Sequence, residues 1–193
     1  MGARTPDPRD RRVLRTRHTL REALLALLSE RGWDAISVQD LCDRANVGRS
    51  TFYTHFADKE ELLVGGFDDL RRMLRGQRGP AGPRPSEPLR FARGLIEHAH
   101  ENQRLFRALV GKRSGQVVLR RFRELLVELV EDDLAASCLP GPARDAAVRF
   151  LSGGFLELLG WSLDARTSPT PEALEGLFLA MSTSALALAR GQG

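Results

Sequence analysis

The chain has 193 residues, 42% of them hydrophobic and 6% aromatic, which suits one domain, or one small and one medium domain, with a packed core. No continuous run of about 18 apolar residues occurs and no apolar h-region precedes Leu24, so neither a membrane span nor a secretory leader is expected. Cys42 and Cys138 stand far apart, which excludes a disulfide scaffold and fits a reduced, cytoplasmic setting. The net charge of +4 is unevenly spread: residues 1–21 hold seven arginines against Asp7 and Asp10, whereas residues 128–193 hold nine acidic residues against four arginines. A basic front end and an acidic back end suit a nucleic-acid-binding head on a separate body.

The first residues hold two prolines and several charges, and a mobile basic arm is expected over residues 1–14. From about Arg15, Leu20, Ala23, Leu24, Leu27 and Leu28 recur at helical spacing, and Gly32 closes that helix. Trp33 and Ile36 are the core anchors of a short connector. Ser37 opens a second helix with Asp40 three residues on, an approximate capping box. Val38, Leu41, Cys42 and Ala45 form its apolar face, and Asn46 supplies a left-handed stop. Gly48 N-caps a third helix, Arg49 to Phe56, and Asp58 caps a fourth that begins near Lys59 and ends near residue 75.

Residues 76–88 hold too many Gly and Pro for a helix. Helices are expected over 88–100, 102–111, 115–137, 142–166 and 171–190, broken at Gly111–Gly115, Pro140–Pro142 and Ser168–Pro171. No strand-like alternation appears, so the chain reads as all-α. The head falls at 15–58 and the helical body at 59–193.

Two short helices joined by a tight turn make a helix-turn-helix, whose second helix enters the DNA major groove led by its N-terminal residues. Those are Arg49, Ser50 and Thr51. Arg can bond guanine bidentately, Thr can contact a thymine methyl, and Ser can serve a base or a phosphate. Tyr53, Thr54, His55 and Lys59 offer donors toward the backbone, and Ser37 stands at a helix N-terminus where amides can meet a phosphate. Phe52 and Phe56 pack inward. Each polar residue alone also fits an ordinary solvated surface; the combination is what points to DNA. Ser50, His55 and Asp58 make no triad, because the first two sit five apart on one short helix. No Gly-x-Ser-x-Gly, phosphate-loop or dinucleotide fingerprint occurs, so no enzyme and no cofactor are expected.

The run Ala45-Asn46-Val47-Gly48-Arg49-Ser50-Thr51-Phe52-Tyr53-Thr54-His55-Phe56, followed by Asp58-Lys59-Glu60-Glu61-Leu62, resembles the TetR family of bacterial transcriptional regulators over about residues 15–64. The family commonly has Gly in place of Asn46 and Ser in place of Gly48. Asn46 preserves the turn, whereas Gly48 lacks a hydroxyl for phosphate and contributes conformation only. The resemblance implies three N-terminal helices for DNA, a linking fourth helix, and a helical C-terminal domain that dimerises and binds an effector. It also implies phosphate contacts by Tyr53, His55 and Lys59 and base readout near Arg49 to Thr51.

In the body, Gly153, Gly154 and Gly160 suggest close helix approach or a lined cavity. Leu174, Leu177, Phe178, Met181 and Ala185 form a stripe that fits either an intramolecular core or a four-helix dimer interface. The effector-pocket candidates are Phe91, Leu95, His98, Leu105, Phe106, Leu109, Phe122, Leu126, Phe155 and Trp161, although each apolar one also fits plain core. His98 and His100, two apart on a helix, point to different sides, so no metal site is assigned. The expected protein is a homodimeric transcriptional regulator on a palindromic double-stranded operator, a repressor released by a small-molecule effector. The competing reading is a helical protein-interaction module without specific DNA binding; salt-sensitive duplex binding separates the two.

Overall fold

A computed structural model describes residues 8–76, 89–111, 115–135, 138–164 and 168–191. The described residues form nine helices: α1 Pro8–Arg31, α2 Val38–Ala45, α3 Arg49–His55, α4 Lys59–Gly76, α5 Phe91–Glu101, α6 Gln103–Val110, α7 Gln116–Leu134, α8 Pro142–Asp164 and α9 Pro171–Ala189. No strand occurs among the described residues. The all-α class therefore holds, and the body helices lie where the Gly and Pro breaks place them.

α1 begins at Pro8 and not near Arg15, which corrects half of the expected arm. Proline fits a first helical turn, where its missing N–H has no intrahelical partner to lose. The arginines that follow are good helix formers, and the Thr16 and Thr19 hydroxyls donate back to the Arg12 and Arg15 carbonyls. Residues 1–7 of that arm, and 77–88 of the expected Gly/Pro loop, lie outside the described residues. Leu20, Leu24, Leu27 and Leu28 are buried along one side of α1. Gly32 then takes φ 75° and its N–H reaches the Leu28 carbonyl at 3.1 Å, ending the helix.

The head is built from local signals. Asp40 N–H donates to Ser37 Oγ at 3.1 Å and Ser37 N–H donates to Asp40 Oδ2 at 2.8 Å, a reciprocal capping box. The Ser37 hydroxyl and amide together hold the Asp40 carboxyl at a pKa of about 2. Asn46 stops α2 in the left-handed region at φ 52°, ψ 49°. A related cap starts α4: Glu61 N–H donates to Asp58 Oδ1 at 2.8 Å, and Glu61 Oε2 accepts from the N–H of Ala57, the residue before the cap, at 2.6 Å. Gly48 N-caps α3 as expected, with no side-chain cap bond. Its φ of −70° is open to any residue, and a Cβ would meet only ordinary contacts at 3.7 Å and beyond, so the backbone does not require glycine there.

The body core is aromatic. Phe91, Phe155 and Phe178 join α5, α8 and α9 with ring centroids 5.0–6.4 Å apart. Phe122 of α7 lies 5.9 Å from both Phe67 of α4 and Phe106 of α6. α4 is also tied to α7 by ion pairs, Arg71 to Glu128 and Asp132, and Arg120 and Arg121 to Glu60. These pairs are half-exposed and set geometry more than stability. α9 contains an 18-residue window of mean hydropathy 1.3, apolar enough by length and composition to cross a bilayer, which the sequence reading did not anticipate. It packs on α8 and α5, and Thr170 caps it through the Ala173 amide at 3.2 Å.

Candidate nucleic-acid interface and junction cavity

α2 and α3 are joined by Asn46, Val47 and Gly48. Val47 N–H reaches back to the Cys42 carbonyl at 3.0 Å, which closes the turn. Phe52 and Phe56 are buried and hold α3 against the rest of the head through one face. The opposite face is polar by necessity: Arg49, Ser50, Tyr53 and Thr54 are exposed, and Thr51 and His55 are half-buried. Tyr53 packs its ring edge-on against Phe52 at 5.4 Å and stays 51% exposed, so the phenol is anchored at its base and presented to solvent. The Arg49 guanidinium sits 5.9 Å from the Tyr53 ring centroid, and its Nη2 donates to the Tyr53 hydroxyl at a long 3.5 Å. Thr54 Oγ1 donates to the Ser50 carbonyl at 2.9 Å and keeps its acceptor capacity.

Two of the expected phosphate groups are already engaged within the head. The Ser37 hydroxyl and amide are both committed to Asp40, which sets a carboxylate at the helix start where an anion was expected to dock. Lys59 Nζ donates to the Trp33 carbonyl at 3.0 Å and the Ile36 carbonyl at 2.8 Å, and lies 4.3 Å from the Trp33 ring centroid. Burial lowers its pKa below the ordinary lysine value. Lys59 is thus a latch from α4 onto the α1–α2 connector. Lys59→Ala is expected to cost about 2–3 kcal/mol, from two charge-assisted hydrogen bonds and a cation–π contact. A urea titration checks this, and the salt dependence of duplex binding should stay like the parent's; a slope lower by about 0.9 would restore the phosphate role. Sequence reasoning also missed Arg17. Its guanidinium lies 4.8 Å from the Phe56 ring centroid, so α1 delivers a cation to the C-terminal end of α3. The 39 positions between them leave no local signal.

A cavity of about 430 Å³ opens between α1, α4, α5 and α6. Of the expected pocket residues, His98, Leu105, Phe106 and Leu109 line it. Phe91, Leu95, Phe122, Leu126 and Phe155 do not; they are buried in the filled core. Trp161 is 53% exposed and lines a separate, smaller cavity of about 270 Å³ with Val110, Leu156 and Gly160. The physical reason is that an apolar helical stripe has the same period whether it faces a void or another side chain. His98 sits edge-on to Phe106 at 5.6 Å, and no cluster of three or more His, Cys, Asp or Glu suited to a metal occurs among the described residues.

A buried-backed, outwardly polar second helix on a three-helix head, continued through α4 into a helical body with a cavity, defines a helix-turn-helix transcriptional regulator. The family model described as "Bacterial regulatory proteins, tetR family" matches residues 20–64. A 55-residue segment is 47% identical to the uncharacterized HTH-type transcriptional regulator YxbF of Bacillus subtilis (strain 168), covering 28% of this chain and 14% of that protein. A TetR transcriptional regulator from Streptococcus agalactiae 2603V superposes with TM-score 0.68 at 31% identity, over 90% of this chain and 97% of that one. A TetR-family regulator from Syntrophomonas wolfei str. Goettingen shares the fold with TM-score 0.64 at 19% identity, over 90% and 95% of the two chains. The chain belongs to the tetR family, whose members are transcriptional regulators and not enzymes.

Proposed function

We propose that the protein is a cytoplasmic homodimeric repressor that binds a palindromic operator through α3 and releases it when a small molecule binds. The observation that carries this reading is the division of α3 into a buried phenylalanine face and an outward face of Arg49, Ser50, Thr51, Tyr53, Thr54 and His55. Arg49 to Thr51 read bases, and Tyr53, Thr54 and His55 meet phosphate, with Arg17 as an added cation. Exposed apolar residues on α8 and α9 supply a two-fold interface that sets two heads roughly 34–36 Å apart, or a multiple of that. Release follows if the effector binds the DNA-incompetent arrangement better than the competent one.

Fragments of the source genome retained by the protein would define the operator. Arg49→Ala is then expected to weaken that operator by about 1–3 kcal/mol and to relax base preference at one position of each half-site. Binding titrations across single-base operator variants check this. Parent-like affinity and preference in the variant would show that α3 does not read bases.

A further inference from the structure

The cavity touches both moving parts that the proposed function requires. One wall is α1, where Leu14 and Arg21 face the cavity while Leu20, Leu27 and Leu28 of the same helix are buried in the core. A second wall is α4, with Gly66 and Phe67, and a third is α6, with Phe106 and Leu109. α1 and α4 carry the head. α6 is bonded the other way: Arg107 Nε donates to the Leu163 carbonyl at 2.9 Å, near the C-terminal end of α8. A molecule filling this space fixes the head against the helix that carries the exposed apolar face.

The wall is mostly apolar; its acceptors, Glu22 and Asp69, face His18 and Arg21, which leaves a donor as the unpaired polar handle. Arg21 pairs with Asp69 across α1 and α4, yet its buried Nε–H has no acceptor among the described residues. The Asn102 side-chain amide donates to the His98 carbonyl at 3.0 Å, which turns its nitrogen toward the ring, 3.3 Å from Nδ1. Nδ1 therefore accepts and the neutral ring carries its proton on Nε2. Burial lowers the His98 pKa, in keeping with a neutral imidazole. Beside the histidines, Arg21, Glu22 and Asp69 give the lining a formal charge of −1, which disfavours an anion.

We propose that this head–body junction is the effector site and that it takes a neutral, carbon-rich ring compound bearing a hydrogen-bond acceptor such as a hydroxyl or carbonyl oxygen. The proposal rests on the regulator reading above. A volume of about 430 Å³ lies at the compact end of ligand sites. Gly66 lines the α4 wall, and Gly65 stands beside Arg21. A Cβ at Gly65 would lie 3.0 Å from the Arg21 guanidinium, so glycine lets Arg21 lie close to α4. A Cβ at Gly66 would meet no heavy atom within 4 Å, so this position can be filled without a clash.

The test titrates full-length protein with 2-naphthol, uncharged at neutral pH, and with 2-naphthoate, its charged counterpart, beside the Gly66→Leu variant. Calorimetry reads binding, and operator affinity is measured with and without each probe. Gly66→Leu replaces a helical glycine and should melt no lower than the parent. 2-Naphthol is expected to bind the parent, with 2-naphthoate and the variant each weaker by about tenfold or more. It should release the parent from its operator and leave the variant's operator affinity, whatever its starting value, unchanged. No binding to the parent, or equal binding of 2-naphthol to parent and variant, overturns the site. Equal binding of the two probes overturns the neutral class. Binding that leaves a retained operator untouched overturns the effector role. Failure of the parent to retain any duplex before a probe is added counts against the regulator reading and leaves the calorimetric test of the site standing.

Discussion

Replacing Met181 with glutamate is expected to turn the protein into a monomer at micromolar concentration and to lower operator affinity by about a hundredfold or more. Met181 is 64% exposed on α9, and Leu177 and Leu188 lie on the same face, four positions before it and seven after. α8 presents Phe150 and Trp161, 62% and 53% exposed, with Gly153 and Gly154 between them at helical spacing. A Cβ at either glycine meets nothing within 4 Å in the single chain, so both positions stand ready for close approach by a second copy. Only 28% of the apolar window of α9 is buried within the chain, a surplus that a soluble monomer rarely leaves open. A carboxylate at the centre of such an interface is desolvated twice, once per subunit across the two-fold axis. Because Met181 touches little in its own chain, the helical content of the variant should persist. Sedimentation equilibrium and an operator titration check the claim, with Met181→Leu expected to stay dimeric. A dimeric Met181→Glu would move the interface elsewhere.

What the sequence showed of the head depended on short-range chemistry. Ser37 with Asp40, Asn46 at the turn, and Asp58 at the start of α4 each act within three or four residues, and each does in the fold what its position predicts. The contacts of Lys59 and Arg17 were not legible, for the opposite reason. Their partners, the Trp33 and Ile36 carbonyls and the Phe56 ring, are 23 to 39 positions away. A lysine that follows a recognition helix reads as a phosphate contact until the connector it clamps is seen. The body failed differently. Phe91 and Phe106 carry the same helical pattern, yet one packs on Phe155 and Phe178 while the other lines a void. Gly66 had no reading at all, because an absent side chain declares itself only when the space around it is known.

Phe122→Ala is expected to lower stability by about 3–5 kcal/mol. Phe122 is fully buried in α7, and its ring touches Phe67 and Phe106, both of which line the junction cavity. It stands one layer behind the ligand wall, not on it. Truncation removes the transfer energy of the ring and leaves a hole that three helices cannot close without shifting α4 and α6 together. If Phe122 were a ligand contact, the loss would fall on effector affinity and the unliganded protein would unfold nearly as the parent does. Urea titration without any ligand separates the two cases. A loss below about 1 kcal/mol would return Phe122 to the pocket. If the junction is occupied as proposed, the same layer offers a route to the operator: a core this tightly packed does not deform locally, so α4 would move with the phenylalanines packed on it, and the head with α4.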